Sequence, residues 1–270
     1  MRGMFRNKKI LCSIQIILVW ILLLNSSCQS QLKSSTQENM KALKLLTSFP
    51  FPYKDSTVAY TKEEITLIEY GNLRVFQMPV THHFSRTNVT KDGEYISDEY
   101  IKSEISYEYV VFRDGNKEGS KYDSLLDKTG TKISVDSFLS SSSMLRLGQL
   151  YSKKRINDSL ITSIWSSDST ALTEYYVPKT KPDESYSDST ILKYDKTLQG
   201  YAFSLSTEMD SLVGLKLSQI KMVYNTNENA TSAYGKNARS VTFEIAKTAI
   251  PYEPELVELI NLFKRETQTK

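Results

Sequence analysis

From about residue 57 onward the apolar residues recur at every second position, and no other feature restricts the fold so tightly. Ile65 and Leu67 are two apart. Arg74, Phe76, Met78 and Val80 line one face of a return strand, and Gly71-Asn72 between the two runs suits a two-residue hairpin turn. Ile105, Tyr107, Tyr109 and Val111 alternate with Glu104, Ser106, Glu108 and Val110. Asp92-Gly93 and Asp114-Gly115 supply the turns on either side, and Gly119 to Ser124 is placed to pair back. The second half repeats the style, with strands expected over 172–177, 190–194, 201–205, 215–224 and 241–245. Such alternation implies antiparallel sheet with a covered face.

Two segments read as helix at the edges of this pattern. Met40, Leu43, Leu45 and Leu46 suggest one or two amphipathic turns, ended by Pro50 and Pro52. Leu256, Leu259, Ile260 and Phe263 recur at helical spacing behind Pro254, with Glu255 near the start and Lys264 and Arg265 near the end. A third helix is expected within 134–155, with Phe138, Leu139, Met144 and Leu145 as its core side. The fold class is therefore β-rich α+β: antiparallel sheet with a C-terminal amphipathic helix packed on it, the body spanning 56–270 and divided into two lobes near 150–170.

The N-terminus changes how the composition reads. Arg2, Arg6, Lys8 and Lys9 precede an apolar run, Ile10 to Leu24, shorter than the ~20 residues a membrane span needs. Asn25, Ser26 and Ser27 follow, then Cys28. A positive start, a short apolar stretch and small residues describe a secretory signal peptide over 1–27. The small residues before Cys28 resemble a bacterial lipobox, although Asn25 stands where such boxes carry Leu; relaxed boxes of this kind occur in Bacteroidota. The resemblance implies lipidation of Cys28, an anchor in the envelope with the outer membrane as destination, and a polar tether within 28–55. The whole chain carries 34 basic and 31 acidic residues. Without residues 1–27 the balance is 30 against 31, so the apparent basic character belongs to the export signal. Cys12 leaves with the signal and Cys28 is committed to lipid. No thiol remains for nucleophilic, redox or metal chemistry.

Seven of the thirteen aspartates precede serine, where chance would give about two. Such pairs suit turns and helix caps, because both side chains bond nearby backbone N–H groups. Six are followed by Leu or Thr and resemble the O-glycosylation acceptor motif of exported Bacteroidota proteins. By that resemblance Ser56, Ser124, Ser159, Ser169, Ser189 and Ser211 are candidate acceptors.

Residues suited to catalysis are sparse. His82 and His83 are the only histidines, and adjacent strand residues face opposite ways. No metal-ligand spacing, serine-hydrolase elbow or phosphate loop is present. Glu63, Glu64, Asp98, Glu99 and Glu104 are the carboxylates open to a hydrolase, and Lys153-Lys154-Arg155 is too small a basic cluster for nucleic acid. No cofactor is implied. Tyrosines such as Tyr107, Tyr109, Tyr175 and Tyr201 supply core pairs and a few contact positions. The residues favour a lipid-anchored, non-catalytic binding or assembly module that meets an envelope protein or glycan. The alternative is a carrier of a lipid or other apolar ligand, with the 256–263 helix as lid, and the third reading is an acidic-residue hydrolase.

Overall fold

The first and last strands of the chain lie side by side in the middle of one sheet. The computed structural model describes residues 40–53, 57–93, 95–142, 145–146, 158–180, 186–227, 236–250 and 254–268. Its strands are β1 (Met40–Pro52), β2 (Val58–Tyr70), β3 (Leu73–Val89), β4 (Tyr95–Arg113), β5 (Glu118–Tyr122), β6 (Thr131–Ser134), β7 (Asp158–Trp165), β8 (Ala171–Pro178), β9 (Ser189–Asp195), β10 (Lys216–Tyr224) and β11 (Arg239–Thr248). Their order is β6-β5-β4-β3-β2-β1-β11-β10-β9-β8-β7. Three α-helices accompany them among the described residues: α1 (Val135–Ser141), α2 (Thr207–Val213) and α3 (Pro254–Gln268). The fold is β-rich α+β with one antiparallel sheet of eleven strands. Each half of the chain is a meander, and β1 joins β11 from Ala42↔Thr248 to Ser48↔Thr242. The strands on either side of residues 150–170 thus share one sheet. Residues Lys41–Lys270 form one compact unit.

Residues 40–46 are strand, not the expected helix. Leu43, Leu45 and Thr47 are buried on one face at a period of two, and pairing with β11 stops at Ser48, just before the two prolines that cannot donate to a ladder. The coincidence of Leu43 and Leu46 at helical spacing misled the reading of so short a stretch.

One face of the sheet, here the inner face, carries the core. Leu43 and Leu45 of β1, Leu67 of β2, Phe76 of β3, Val110 and Phe112 of β4, Ile220 of β10 and Phe243 of β11 belong to one buried cluster. Helix α1 enters this cluster through Val135, and the Phe138 ring meets those of Phe76 and Phe112 edge-on at 5.2 and 6.3 Å. Gly119 makes that approach feasible, since a Cβ there would stand 2.8 Å from the Val111 carbonyl oxygen and 3.5 Å from Val135. Helix α1 covers the start of the 134–155 stretch, and Leu145, buried, and Arg146 within it are also helical; Met144 and ten other residues of the stretch lie outside the described residues.

Residues 196–206 form a strap, not the strand expected over 201–205. After β9 a 3-10 turn (Lys196–Leu198) leads the chain back to β1 and β2. Lys41 Nζ donates to the Gly200 carbonyl at 2.9 Å, and the backbone N–H groups of Ala202 and Phe203 donate to the Glu69 carboxylate at 3.0–3.1 Å. Those amides are therefore satisfied by a side chain instead of a neighbouring strand. Leu198, Leu205 and Met209 of α2 fill the inner face beside the strap.

The opposite, outer face of the first half-sheet carries Ile68, Leu73, Val75, Tyr109, Val111 and Tyr122, all buried. Two contacts of α3 fall on it. Tyr122 Oη donates to Glu266 at 2.9 Å, and Lys264 Nζ lies 4.4 Å from the centre of the Tyr70 ring. Leu256, Leu259, Ile260 and Phe263 of α3 are buried as their spacing foretold. Burial and the Glu266 carboxylate together raise the Tyr122 hydroxyl pKa above its ordinary range.

Glu69 is 6% exposed and holds the strap by charge-assisted bonds. Glu69→Ala leaves two part-buried N–H groups without their acceptor and is expected to cost about 1–3 kcal/mol. Glu69→Gln, which keeps one acceptor oxygen, costs less. Denaturant melts give the order wild type, Gln, Ala. Limited proteolysis of the alanine variant cuts first within 196–206.

Candidate functional site

Strands β3 and β4 are much longer than their neighbours. Their pairing runs from Leu73↔Arg113 out to Val89↔Tyr95, whereas β2 pairs with β3 only over Thr66–Tyr70 and Leu73–Gln77. On its other side β4 meets β5 only at Tyr109–Val111. The hairpin beyond Met78 and Glu108 is therefore a two-stranded arm, which β3 carries for 11 residues or about 36 Å.

The parting of β2 from β3 has a local cause. Tyr70 and Leu73 close the two-residue turn at Gly71-Asn72, where Gly71 takes a φ of 57°. A closing pair of this kind points its backbone groups at each other, so the odd-numbered residues of β3 direct N–H and C=O toward β2. The even positions face β4, in agreement with the Asp114 N–H donating to the Asn72 carbonyl at 2.9 Å. The next odd residue after Gln77 is Pro79, which has no N–H. The β2–β3 ladder ends there, while the β3–β4 ladder passes Pro79 undisturbed.

A cleft of about 620 Å³ opens in the gap. It is lined by Phe49, Thr61, Lys62, Glu63, Glu64, Thr66, Gln77, Pro79, Thr81, Ile105 and Tyr107. Its size is that of a ligand site, and its walls are mixed in polarity. Glu64 pairs with Lys44 at 2.7 Å, and Thr47 Oγ1 donates to Glu63 at 3.3 Å.

The arm continues the cleft's outer wall. Following the register, Tyr107, Ile105, Ser103, Tyr100, Asp98 and Tyr95 share one face, opposite Pro79, Thr81, His83, Ser85, Thr87 and Val89. Ile105, Tyr100 and Tyr95 are 63%, 63% and 65% exposed. Isolated exposed apolar residues are ordinary, but a row along one face of a ribbon is not. The other face is charged, with Arg86 opposite Glu99 and Lys102 paired to Glu104.

The histidines stand on this arm and face opposite ways, as their adjacency required. His82 Nε2 meets Ser106 Oγ and His83 Nδ1 meets Ser103 Oγ, each at 2.7 Å. The five carboxylates singled out in the sequence are also dispersed: Glu63 and Glu64 alternate across β2, and Asp98 accepts from Thr87. Among the described residues no group of three or more His, Cys, Asp or Glu converges on a common point. Lys153-Lys154-Arg155, Cys28 and Ser56 lie outside the described residues.

The remaining candidate acceptor serines are scattered. Ser169 and Ser211 are exposed, and Ser124, Ser159 and Ser189 are half-buried. Several Asp-Ser pairs act as local clamps. Ser124 Oγ donates to Asp127 at 2.9 Å. Asp210 accepts from Ser204 Oγ and the Leu217 N–H, both at 2.7 Å, and pairs with Lys216 at 3.1 Å, tying the strap to β10. Asp168 accepts from Ser166 Oγ at 2.6 Å and from the Thr170 hydroxyl at 2.8 Å, which lowers its carboxyl to about 2. Ser169 beside it holds a φ of 56°.

Tyr95, Tyr100 and Pro79 escaped the sequence reading. The usable signal was length: 19 residues separate the Asn72 and Asp92 turns, about twice a body strand.

The Asp168 turn gives a pH-dependent test. Its pKa falls below the ordinary 3.8 on folding, so its bonds stabilise the turn fully above pH ~4 and are lost as pH falls through about 2. The melting-temperature gap between wild type and Asp168→Ala should be flat from pH 5 to 7 and close on acidification. Ser169→Gly removes the left-handed strain and should raise the melting temperature by about 2 °C.

No family model and no curated protein matches this chain. Among solved structures, a LolA superfamily protein from Nitrosomonas europaea is similar over 81% of this chain and 89% of that one, at 8% identity and a TM-score of 0.23. That likeness is too loose to assign a ligand.

Proposed function

We propose that this chain is a lipid-anchored, non-catalytic binding or assembly module of a Gram-negative envelope, of the Bacteroidota type. Its recognition surface is the arm and the cleft at the arm's foot. The observation that carries this reading is the exposed row Tyr107, Ile105, Tyr100 and Tyr95 on a ribbon that leaves the body. Tyrosine and isoleucine give contact area at small cost in side-chain entropy, and the open backbone edges add hydrogen bonds. Acylated Cys28 would hold the chain at the outer membrane, with residues 29–39 as tether. Helix α3 serves as packed cover for the outer face.

A second reading, carriage of a lipid or other apolar ligand, draws on the inner face. There α1, the strap and α2 lie over a continuous layer of aliphatic and aromatic side chains. The lid would then be α1 with the strap, since both side-chain contacts given above for α3 fall on the other face.

The two readings separate in one set of measurements. A photo-crosslinking residue at Ile105, in the full chain in its native envelope, should capture a discrete protein partner. Tyr100→Ser with Tyr95→Ser should abolish capture and leave membrane partition unchanged. Cys28→Ala should move the protein to the soluble fraction. Stoichiometric uptake of a fluorescent fatty acid, with no capture at Ile105, would replace the module by the carrier. Intact mass of protein from the native host tests the acceptor serines. Increments beyond lipid and polypeptide that fall away in Ser169→Ala and Ser211→Ala are expected, and a mass equal to lipid plus polypeptide would end the glycan proposal.

A further inference from the structure

Beyond Thr66 and Gln77, β2 and β3 present two strand edges to a cleft of about 620 Å³. On the β2 side, the residues whose backbone faces β3 are the even ones, because Thr66, Ile68 and Tyr70 pair there with Gln77, Val75 and Leu73. Continued outward, that parity points the backbone groups of Glu64 and Lys62 into the cleft. On the β3 side the odd residues point in, so Thr81 and His83 present N–H and C=O, and Pro79 presents C=O alone. Among the described residues no strand pairs with either edge over these positions. Two such edges facing one cleft are what an extended chain satisfies.

Side chains define what fits. Strand neighbours share a face, so alternate residues of an inserted segment meet different surroundings. On the inner side they lie between Phe49, Met78 and Val80 and the Thr61 and Glu63 side chains of β2; on the outer side they pass Lys62, Glu64 and Thr81, with Ile105 and Tyr107 beside them. Both sides thus offer apolar surface, and Lys62 on the outer side favours an acidic residue, since Glu64 is already paired with Lys44. From Pro79 to Phe84 the straight edge gives about 20 Å, enough for six residues, before the bulge at Phe84/Ser85 turns the arm.

We infer that the cleft is a slot for one extended peptide segment of a partner protein, with apolar residues on both faces and an acidic residue to meet Lys62, which joins the sheet as an added strand between β2 and β3. This rests on the reading of the body as a binding module and names the form of its partner. Pro79 has a definite part in it: it keeps β2 from zipping onto β3 and so holds the slot open.

The test uses the full chain purified in detergent and a displayed library of random twelve-residue peptides, with the selected sequences then made synthetically. Selected peptides should carry apolar residues in both strand phases and an acidic residue in one of them. Thr81→Pro removes one N–H from the slot and none from the β3–β4 ladder, so it should weaken binding at least tenfold while circular dichroism and melting temperature hold. Lys62→Pro does the same from the other wall, and stands in if Thr81→Pro does not fold. N-methylation of alternate peptide residues needs no protein variant. A strand bonded on both edges loses binding with either phase methylated. Loss in one phase only would mean addition to an outer edge of the arm and would overturn the slot. Binding indifferent to both proline variants and to methylation, or a library that yields no binder, would overturn it as well. A concentration-dependent dimer that Thr81→Pro dissolves would assign the slot to a second copy instead. Capture at Ile105 that persists in Thr81→Pro would sink the slot and leave the binding module standing; absence of capture in wild type would sink the module itself.

Discussion

The pairing of β1 with β11 is the contact on which the two halves of the molecule depend. Seven residue pairs, from Ala42↔Thr248 to Ser48↔Thr242, connect strands about 200 positions apart in the chain. Each half is a local meander whose hairpins form between neighbours. The seam between them forms only when the last strand returns to the first. Closing so long a loop costs conformational entropy before any contact offsets it, so the seam marks a late and slow event in folding. The inner-face cluster draws on both sides of the seam, with Leu45 of β1 and Ile245 of β11 paired within it. The strap repeats the stitch from β9 to Glu69 of β2, across β10, β11 and β1. Both long-range ties act on the same central strands, which explains why burial is deepest there and declines toward the arm and toward β7.

The molecule joins a well-tied centre to an untied projection, and one residue sets the boundary. Up to Gln77, β3 has partners on both sides; from Pro79 onward it keeps only β4. An arm with two free edges and an exposed Tyr/Ile row is the kind of surface that attracts unrelated strands. Several features restrain that here. The arm's opposite face carries Arg86, Glu99, Lys102 and Glu104, and bulges at Phe84/Ser85 and Asn88/Val89 break the straight edge. Lys62 and Glu64 guard the cleft wall on β2. Free backbone together with charged guards selects for a partner of matching charge and register over a generic aggregating strand.

Much of the body could be read from the sequence, for identifiable reasons. The hairpin turns at Gly71-Asn72, Asp92-Gly93 and Asp114-Gly115 all occur, with each glycine at positive φ, because turn chemistry is local. The C-terminal helix was equally legible, since four buried residues at helical spacing leave little ambiguity. Where tertiary contacts decide, the pattern misled. Residues 40–46 satisfy helical and strand spacing alike over so short a run, and only the partner β11 resolves them. Tyr201, Phe203 and Leu205 alternate like a strand, but the N–H groups of Ala202 and Phe203 in that run are claimed by Glu69, 133 residues away for Ala202. The candidate site was half visible: Ile105 and Tyr107 were recognised as strand. Their exposure depends on where β2 and β5 stop, which a one-strand pattern does not encode.

At Pro79 the cost and the use are the same fact. A proline inside a strand gives up one ladder bond, and natural sheets tolerate it only at an edge. In β3 the lost donor falls on the β2 side, so at this residue an interior strand becomes an edge strand without any change in its pairing to β4. Had the proline come one residue later, at Val80, the lost donor would have faced β4 and broken the arm itself. Parity therefore separates two outcomes from one substitution type: an odd position opens a cleft and spares the ribbon, and an even position destroys the ribbon. The placement of Pro79 on the odd set, next to the point where Ile105 and Tyr107 leave the body, links the cleft and the arm as one built surface.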